Sequence, residues 1–175
     1  SVIIGPGPIG LCAMMECKAM GSGQVIVIGR GAKLEKAREL GADVCINFEQ
    51  EDPVQRVLEL TGGIGADEVM ECSGAPDSPD KACRMVRKAG AVAIIATYKH
   101  PEVVLPMNTI NFNEIRVIGA KANPNVSDKV LHFFATGAIQ GEKLVTHTFP
   151  LEEYEQAIDV FEHKKDGSIK VVIHP

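Results

Sequence analysis

Val2-Ile3-Ile4-Gly5-Pro6-Gly7-Pro8-Ile9-Gly10 decides how this chain is read. Three apolar, β-branched residues stop at a glycine, and a proline-containing turn leads into helix-compatible sequence. Gly5, Gly7 and Gly10 hold the spacing G-x-G-x-x-G. Each glycine has a separate physical task. Gly5 lets the chain leave the strand in a tight turn, Gly7 keeps a side chain out of the way of a pyrophosphate, and Gly10 lets the new helix pack closely on the strand. Pro8 suits a first helical turn, where its missing N–H has no intrahelical partner. Ile9 and Gly10 are then the backbone donors for a phosphate at the positive end of the helix.

The motif means little without its context, and the flanking sequence supplies that context. Helix signals run over 8–20, with Leu11, Met14, Met15 and Lys18 at helical spacing and Gly21 as the stop. Val25-Ile26-Val27-Ile28 is a continuous apolar run, the pattern of a parallel strand covered on both faces. The pattern then repeats. Helix is expected over 32–40, strand over 44–46, helix over 53–60, strand over 67–71, helix over 77–87 and strand over 91–96. Short strands are expected at 103–105 and 115–118. This alternation predicts an α/β fold, a doubly wound parallel sheet of the Rossmann type. Right-handed crossovers make 3-2-1-4-5-6 the expected strand order. From about Asn123 the rhythm changes to helix 126–136, strand 145–149, helix 151–163 and strand 170–173. Residues 1–122 are therefore read as a dinucleotide-binding domain. Residues 123–175 are read as an α+β appendage that returns to a second domain.

The end of the second strand bears on the choice of dinucleotide. An NAD site places Asp or Glu there to accept hydrogen bonds from the adenine ribose. This chain has Gly29-Arg30-Gly31. No carboxylate repels a 2′-phosphate, Arg30 can meet one with a forked guanidinium, and Lys33 adds charge. NADP is the favoured cofactor, and NAD with a solvated Arg30 is the alternative. Ligands in such folds bind outside the carboxyl ends of the strands. Cys72, Ser73 and Gly74 stand at the end of the fourth strand and Ile95, Ala96 and Thr97 at that of the fifth. These small residues either let a flat ring approach the backbone or serve packing alone.

Other chemistry-bearing residues read as structural. Cys72 has no neighbouring His and is expected to be an inert thiol. Asp67, Glu68 and Glu71 fall on alternating faces of a strand and make no catalytic pair. Lys164-Lys165-Asp166 reads as a solvated helix end, and His147 as structural. The five cysteines contain no C-x-x-C pair and the five histidines are scattered, so neither a zinc site nor any catalytic residue is expected on this chain. A net charge of −5 gives no reason to expect nucleic acid, and no apolar run reaches membrane-spanning length. Reduced thiols and the absence of a signal peptide point to the cytoplasm. The chain of 175 residues begins one residue before a core strand, which suggests a fragment lacking an N-terminal part.

Taken together, Gly5-Pro6-Gly7-Pro8-Ile9-Gly10-Leu11, Cys17-Lys18-Ala19-Met20-Gly21, Ala37-Arg38-Glu39-Leu40-Gly41-Ala42-Asp43 and Glu71-Cys72-Ser73-Gly74 resemble the zinc-type medium-chain dehydrogenase/reductases. The branch most similar is that of the sorbitol and threonine dehydrogenases. The resemblance implies a two-domain enzyme that moves hydride between NAD(P) and an alcohol or polyol, of which this chain is the cofactor-binding part. It implies that Gly29 aligns with the acid of NAD-using members, and that Lys170 stands where the family places a basic contact to the pyrophosphate. It also implies homo-oligomers paired through the stretch from Ile115 to Ala120, and zinc held by the absent domain. On that reading the chain alone binds cofactor without turnover. Three competitors remain open: a zinc-free quinone or enoyl reductase on the same scaffold, a non-catalytic dinucleotide-sensing module, and a methyltransferase using S-adenosylmethionine.

Overall fold

The computed structural model describes residues 1–99, 102–122 and 125–175. The first unit is β1 (Val2–Ile4), α1 (Pro8–Ala19), β2 (Ile26–Gly29), α2 (Gly31–Glu39) and β3 (Val44–Asn47). The second is α3 (Pro53–Leu60), β4 (Ala66–Glu71), α4 (Ser78–Met85), β5 (Val86–Ile94), α5 (Met107–Phe112) and β6 (Arg116–Gly119). All six strands form one sheet in the order β3-β2-β1-β4-β5-β6, with parallel pairing throughout. This is the doubly wound α/β sheet expected from the alternation.

β1 is central because both faces of its three residues are covered. Val2 and Ile4 point into one apolar cluster with Ile26, Ile28, Ile46, Val57 and Met85, on the side of α3 and α4. Ile3 points into the other with Leu11, Met14, Val25, Val27 and Ala37, on the side of α1 and α2. The period of two along a strand turns one apolar run into the centre of both cores. Burying each such side chain contributes roughly 1.5–3 kcal/mol, against about 1 kcal/mol for a net backbone hydrogen bond. Side-chain burial therefore decides where β1 sits. Asp43 ties three elements at the opposite, amino-terminal edge. Its carboxylate accepts from Lys18 Nζ at 2.7 Å and from Val25 N–H at 2.7 Å.

Three local expectations differ from the structure. Residues 103–105 are not a strand, and the segment leads instead into α5. The helix expected to reach 87 stops at Met85, because Val86 turns extended and pairs with Ala66 as the start of β5. The strand expected to begin at 91 thus begins at Val86 and ends at Ile94.

The chain continues with α6 (Ser127–Ala135), β7 (Val145–Pro150), α7 (Tyr154–Glu162) and β8 (Lys170–His174). The boundary expected at Asn123 falls on a residue outside those described. β7 and β8 pair parallel in a separate two-stranded sheet, so this segment adds no strand to the large one. Ile139, Leu144 and Ile169 nevertheless enter the apolar cluster of α1 and β1. A smaller cluster of Phe149, Ala157 and Val160 holds α7 on its own strand pair.

Candidate functional site

A cavity of about 540 Å³ opens at the carboxyl ends of β1, β2 and β4. Gly5, Pro6 and Gly7 form one wall, Gly29, Arg30 and Lys33 a second, and Cys72 and Ser73 a third. These residues come from distant parts of the chain and meet because their strands are neighbours in the order β2-β1-β4.

The glycines of the first turn are held by different constraints. Gly5 has φ +95, and a Cβ there would meet the Ser73 backbone at 2.8 Å. A Cβ on Gly10 would lie 2.0 Å from the Gly5 carbonyl oxygen, so the helix sits tight on its strand. Gly7 is different. Its backbone is extended (φ −76, ψ −179), a conformation any residue adopts, and a Cβ there would meet nothing within 4 Å. Neither backbone nor packing asks for glycine at this point, and the space a Cβ would fill opens onto the cavity. Leu11 N–H makes the first helical bond, to Gly7 O at 2.9 Å. The Ile9 and Gly10 N–H groups precede that bond and face the helix start, while Pro8 has none to offer. A cradle of this shape fits a pyrophosphate.

The third wall is organised by Glu71, whose side chain is fully buried. Its Oε1 accepts from Ser73 N–H at 2.8 Å, Ser73 Oγ at 2.5 Å and Gly74 N–H at 3.1 Å, and its Oε2 accepts from the Tyr98 hydroxyl. Burial and the neighbouring carboxylate push the Tyr98 hydroxyl well above the ordinary tyrosine range, so it stays protonated and donates. Ser78, also buried, bonds the Ser73 hydroxyl at 3.2 Å. This network fixes the turn that carries Ser73 and Gly74. A Cβ on Gly74 (φ +70) would strike the Thr97 carbonyl at 2.8 Å, so the ends of β4 and β5 touch here. Ile95 and Ala96 reach the same corner by donating N–H groups to Glu71 O at 2.9 and 3.0 Å. Ile95, Ala96 and Thr97 do not line the cavity.

Cys72 lines the cavity, but burial and the adjacent Glu71 push its thiol up to about 12. Such a thiol is no nucleophile near neutral pH. Asp67 pairs with Arg87 at 2.6 Å and Glu68 accepts from Ser1 Oγ at 2.7 Å, each away from Glu71. Lys170 is exposed at the start of β8, outside the cavity, and its charge acts on Cys12 on the outer face of α1. Among the described residues, no three His, Cys, Asp or Glu side chains group to hold a metal ion.

The cation expected at the end of β2 is already engaged. Arg30 Nη1 lies 2.5 Å from Glu49 Oε1, and its guanidinium sits 5.6 Å from the centre of the Phe48 ring. Sequence reading missed Glu49 as its partner. It also missed Glu71 and Tyr98 as the framework of the third wall, and Lys164, which reaches the cavity from the turn after α7. A buried acid two residues before a Ser-Gly turn was the one available signal for Glu71.

Comparison with known proteins gives a consistent result. Residues 8–136 match the family model described as zinc-binding dehydrogenase. An L-threonine 3-dehydrogenase from Bacillus licheniformis is 35% identical over 99% of this chain and 50% of its own length. A zinc-binding dehydrogenase structure from Sinorhizobium meliloti 1021, bound to NADP, has 29% identity and a TM-score of 0.90, covering 99% of this chain and 52% of that one. A structure described as a short-chain alcohol dehydrogenase from Escherichia coli CFT073, complexed with NADH, has 27% identity and a TM-score of 0.86, covering 97% and 50%. The chain spans about half the length of the curated relatives it matches.

Proposed function

Because this chain belongs to the zinc-binding dehydrogenase family, we propose that it is the cofactor-binding half of an NAD(P)-dependent alcohol or polyol dehydrogenase, and that it prefers NADP(H). The observation that carries the reading is Gly7, a glycine that neither the backbone nor the packing requires, lining the cavity at the start of a helix whose Ile9 and Gly10 N–H groups precede the first helical bond. Gly5 to Gly10 hold the pyrophosphate, with Ile9 and Gly10 donating. The Gly29, Arg30 and Lys33 wall takes the adenosine end. The turn held by Glu71, with Cys72 and Ser73 on the cavity wall, takes the nicotinamide end, and Ile95 and Ala96 back that turn through their N–H bonds to Glu71 O.

When bound, the nicotinamide supplies hydride transfer. This chain's residues bind the cofactor, orient it and keep a thiol unreactive beside it. Zinc, acting as a Lewis acid on the substrate oxygen, belongs on this proposal to the part of the protein outside this chain. The relatives' greater length supports a part outside this chain, and the separate β7-β8 sheet supports reading residues 1–122 as the cofactor domain and 123–175 as a returning segment. No helix among the described residues is long and apolar enough to cross a membrane. All five cysteines are free, which supports a reducing compartment such as the cytoplasm. Among the described residues β6 forms the outer edge of the sheet with Ile118 exposed, which supports edge-to-edge pairing with a second copy of the chain.

NAD is the second reading, and the Arg30–Glu49 pair favours it by occupying the guanidinium. Titrating the chain with NADPH, NADH and S-adenosylmethionine decides among them. NADPH binding tighter than NADH, with no response to S-adenosylmethionine, is the expected result. Binding of S-adenosylmethionine alone would overturn the dehydrogenase reading.

A further inference from the structure

Glu71 is the one buried charged residue among those described, and cofactor binding as argued above gives its charge no task. Among the described residues it forms no ion pair. Its side-chain partners are neutral donors: the Ser73 and Gly74 N–H groups, the Ser73 hydroxyl and the Tyr98 hydroxyl. Its charge is felt by its neighbours, since it adds to burial in raising both the Cys72 thiol and the Tyr98 hydroxyl. A buried carboxylate with no cation beside it is costly. Capping the turn does not call for one. A glutamine of the same shape would accept from the Ser73 and Gly74 N–H groups with its oxygen and donate to the Tyr98 oxygen with its nitrogen.

The turn that Glu71 holds is a wall of the cavity. Cys72, Ser73 and Ala75 line it and carry no charge of their own, and Glu71 Oε1 stands 2.8 Å from the Ser73 nitrogen. Dipoles that solvate a charge spread it without cancelling it, and in a low-dielectric interior its field reaches past its first neighbours. Other charges on the lining are paired, as Arg30 is with Glu49 and Lys81 with Asp77, or come from α2 and the turn after α7, as Lys33 and Lys164 do. The oxidised nicotinamide ring is a cation and the reduced ring is neutral, the two differing by one hydride. A fixed negative charge behind the wall attracts the first and not the second.

We propose that Glu71 is a specificity-determining residue for the oxidation state of the cofactor: its buried carboxylate, directly behind the Cys72–Ser73 wall, strengthens binding of the oxidised form relative to the reduced form. The proposal rests on the reading that sets the nicotinamide end at this wall. Tyr98 takes part as a neutral donor that helps the core tolerate the charge. By linkage, a site that favours the oxidised form makes the bound reduced cofactor the stronger hydride donor.

The test is calorimetric titration of the full chain with NADP⁺, NADPH, NAD⁺ and NADH, with 5′-AMP as a probe that lacks the nicotinamide. Glu71→Gln removes the charge and keeps the shape. It weakens each oxidised form about tenfold relative to its reduced partner and leaves 5′-AMP within about twofold. Tyr98→Phe removes a donor but not the charge, and keeps the ratio of oxidised to reduced affinity within about twofold of wild type or raises it. A merely structural role would weaken both forms together. Equal weakening of the two forms by Glu71→Gln, or no change in either, overturns the proposal, while dinucleotide binding by wild type keeps the dehydrogenase reading. Should Glu71→Gln also lose 5′-AMP, Tyr98→Phe decides: a retained ratio supports the role of the charge, and a tenfold fall overturns it. Wild type that binds neither dinucleotide overturns both the proposal and the reading beneath it.

Discussion

Gly29 and Pro6 compete for one corner of the cavity: a Cβ on Gly29 would lie 2.4 Å from both Cγ and Cδ of the Pro6 ring. A proline ring cannot swing aside as a flexible side chain would, so any larger residue at 29 displaces the phosphate turn. The sequence suggests that Gly29→Asp would restore an NAD-type acid and turn preference toward NADH. The geometry gives another outcome. Gly29→Asp weakens NADH and NADPH alike, by about tenfold or more, through a shifted Pro6 turn. Gly29→Asp combined with Pro6→Ala makes the missing room and recovers NADH binding preferentially. A double-mutant cycle on the two dissociation constants measures that coupling, and additive effects at the two positions would disprove the steric conflict.

Asp43 predicts how stability depends on pH. The Lys18 ammonium, and then Val25 N–H, hold its carboxyl below the ordinary Asp range. A group depressed in the folded state stabilises fully above its unfolded pKa, near 3.9, and the gain is lost as pH falls through the folded value. Asp43→Asn therefore lowers the urea midpoint at about pH 6, and the gap from wild type closes toward about pH 2. A gap that stayed constant across that range would mean packing, not charge, is responsible.

Thiol chemistry separates the cysteines. Cys12 is exposed on α1 although partial burial raises its thiol too, whereas burial raises Cys72 to about 12 and Cys83 to about 11. Alkylation of the native protein at about pH 8 should modify Cys12 first and spare Cys72 and Cys83 until denaturant is added. Mass spectrometry of the labelled peptides reads this directly. Early labelling of Cys72 would mean the cavity wall opens on the labelling timescale.

What was legible in the sequence follows the range of the interaction. The sheet order came from local alternation, because β1 and β2 announce their burial by unbroken apolar runs. α5 stayed hidden because Met-Asn-Thr-Ile-Asn-Phe is short, rich in weak helix formers and has no side-chain cap. In the site, the glycines were readable because their spacing is local. The Tyr98 bond to Glu71, the Glu49 bond to Arg30 and the sharing of one cavity lining by Lys33 and Lys164 join residues far apart in sequence, and no local pattern encodes them.

The outer edge of the sheet carries its own prediction. Ile118 is 50% exposed on β6, whose only strand neighbour among the described residues is β5. An uncovered apolar edge strand invites pairing with a second copy. Ile118→Lys places a charge on that edge and should halve the mass found by light scattering without lowering cofactor affinity. An unchanged mass would overturn the proposed pairing through β6.

Gly7 separates binding from folding most cleanly. Its extended backbone admits alanine without strain, and an added methyl meets no protein atom within 4 Å. Gly7→Ala should therefore fold with a melting temperature within a few degrees of wild type, since the gain of about 0.4–1 kcal/mol for a compatible Gly→Ala change offsets the loss of glycine at the helix N-cap. The methyl instead stands on a residue that lines the cavity, at the start of the helix that carries the Ile9 and Gly10 donors. NADPH and NADH should both weaken by at least about tenfold, because the pyrophosphate is common to both. Gly10→Ala is the contrasting case, since its methyl meets Gly5 O at 2.0 Å and should cost stability as well as binding. If Gly7→Ala binds either cofactor as wild type does, the pyrophosphate does not lie on this turn.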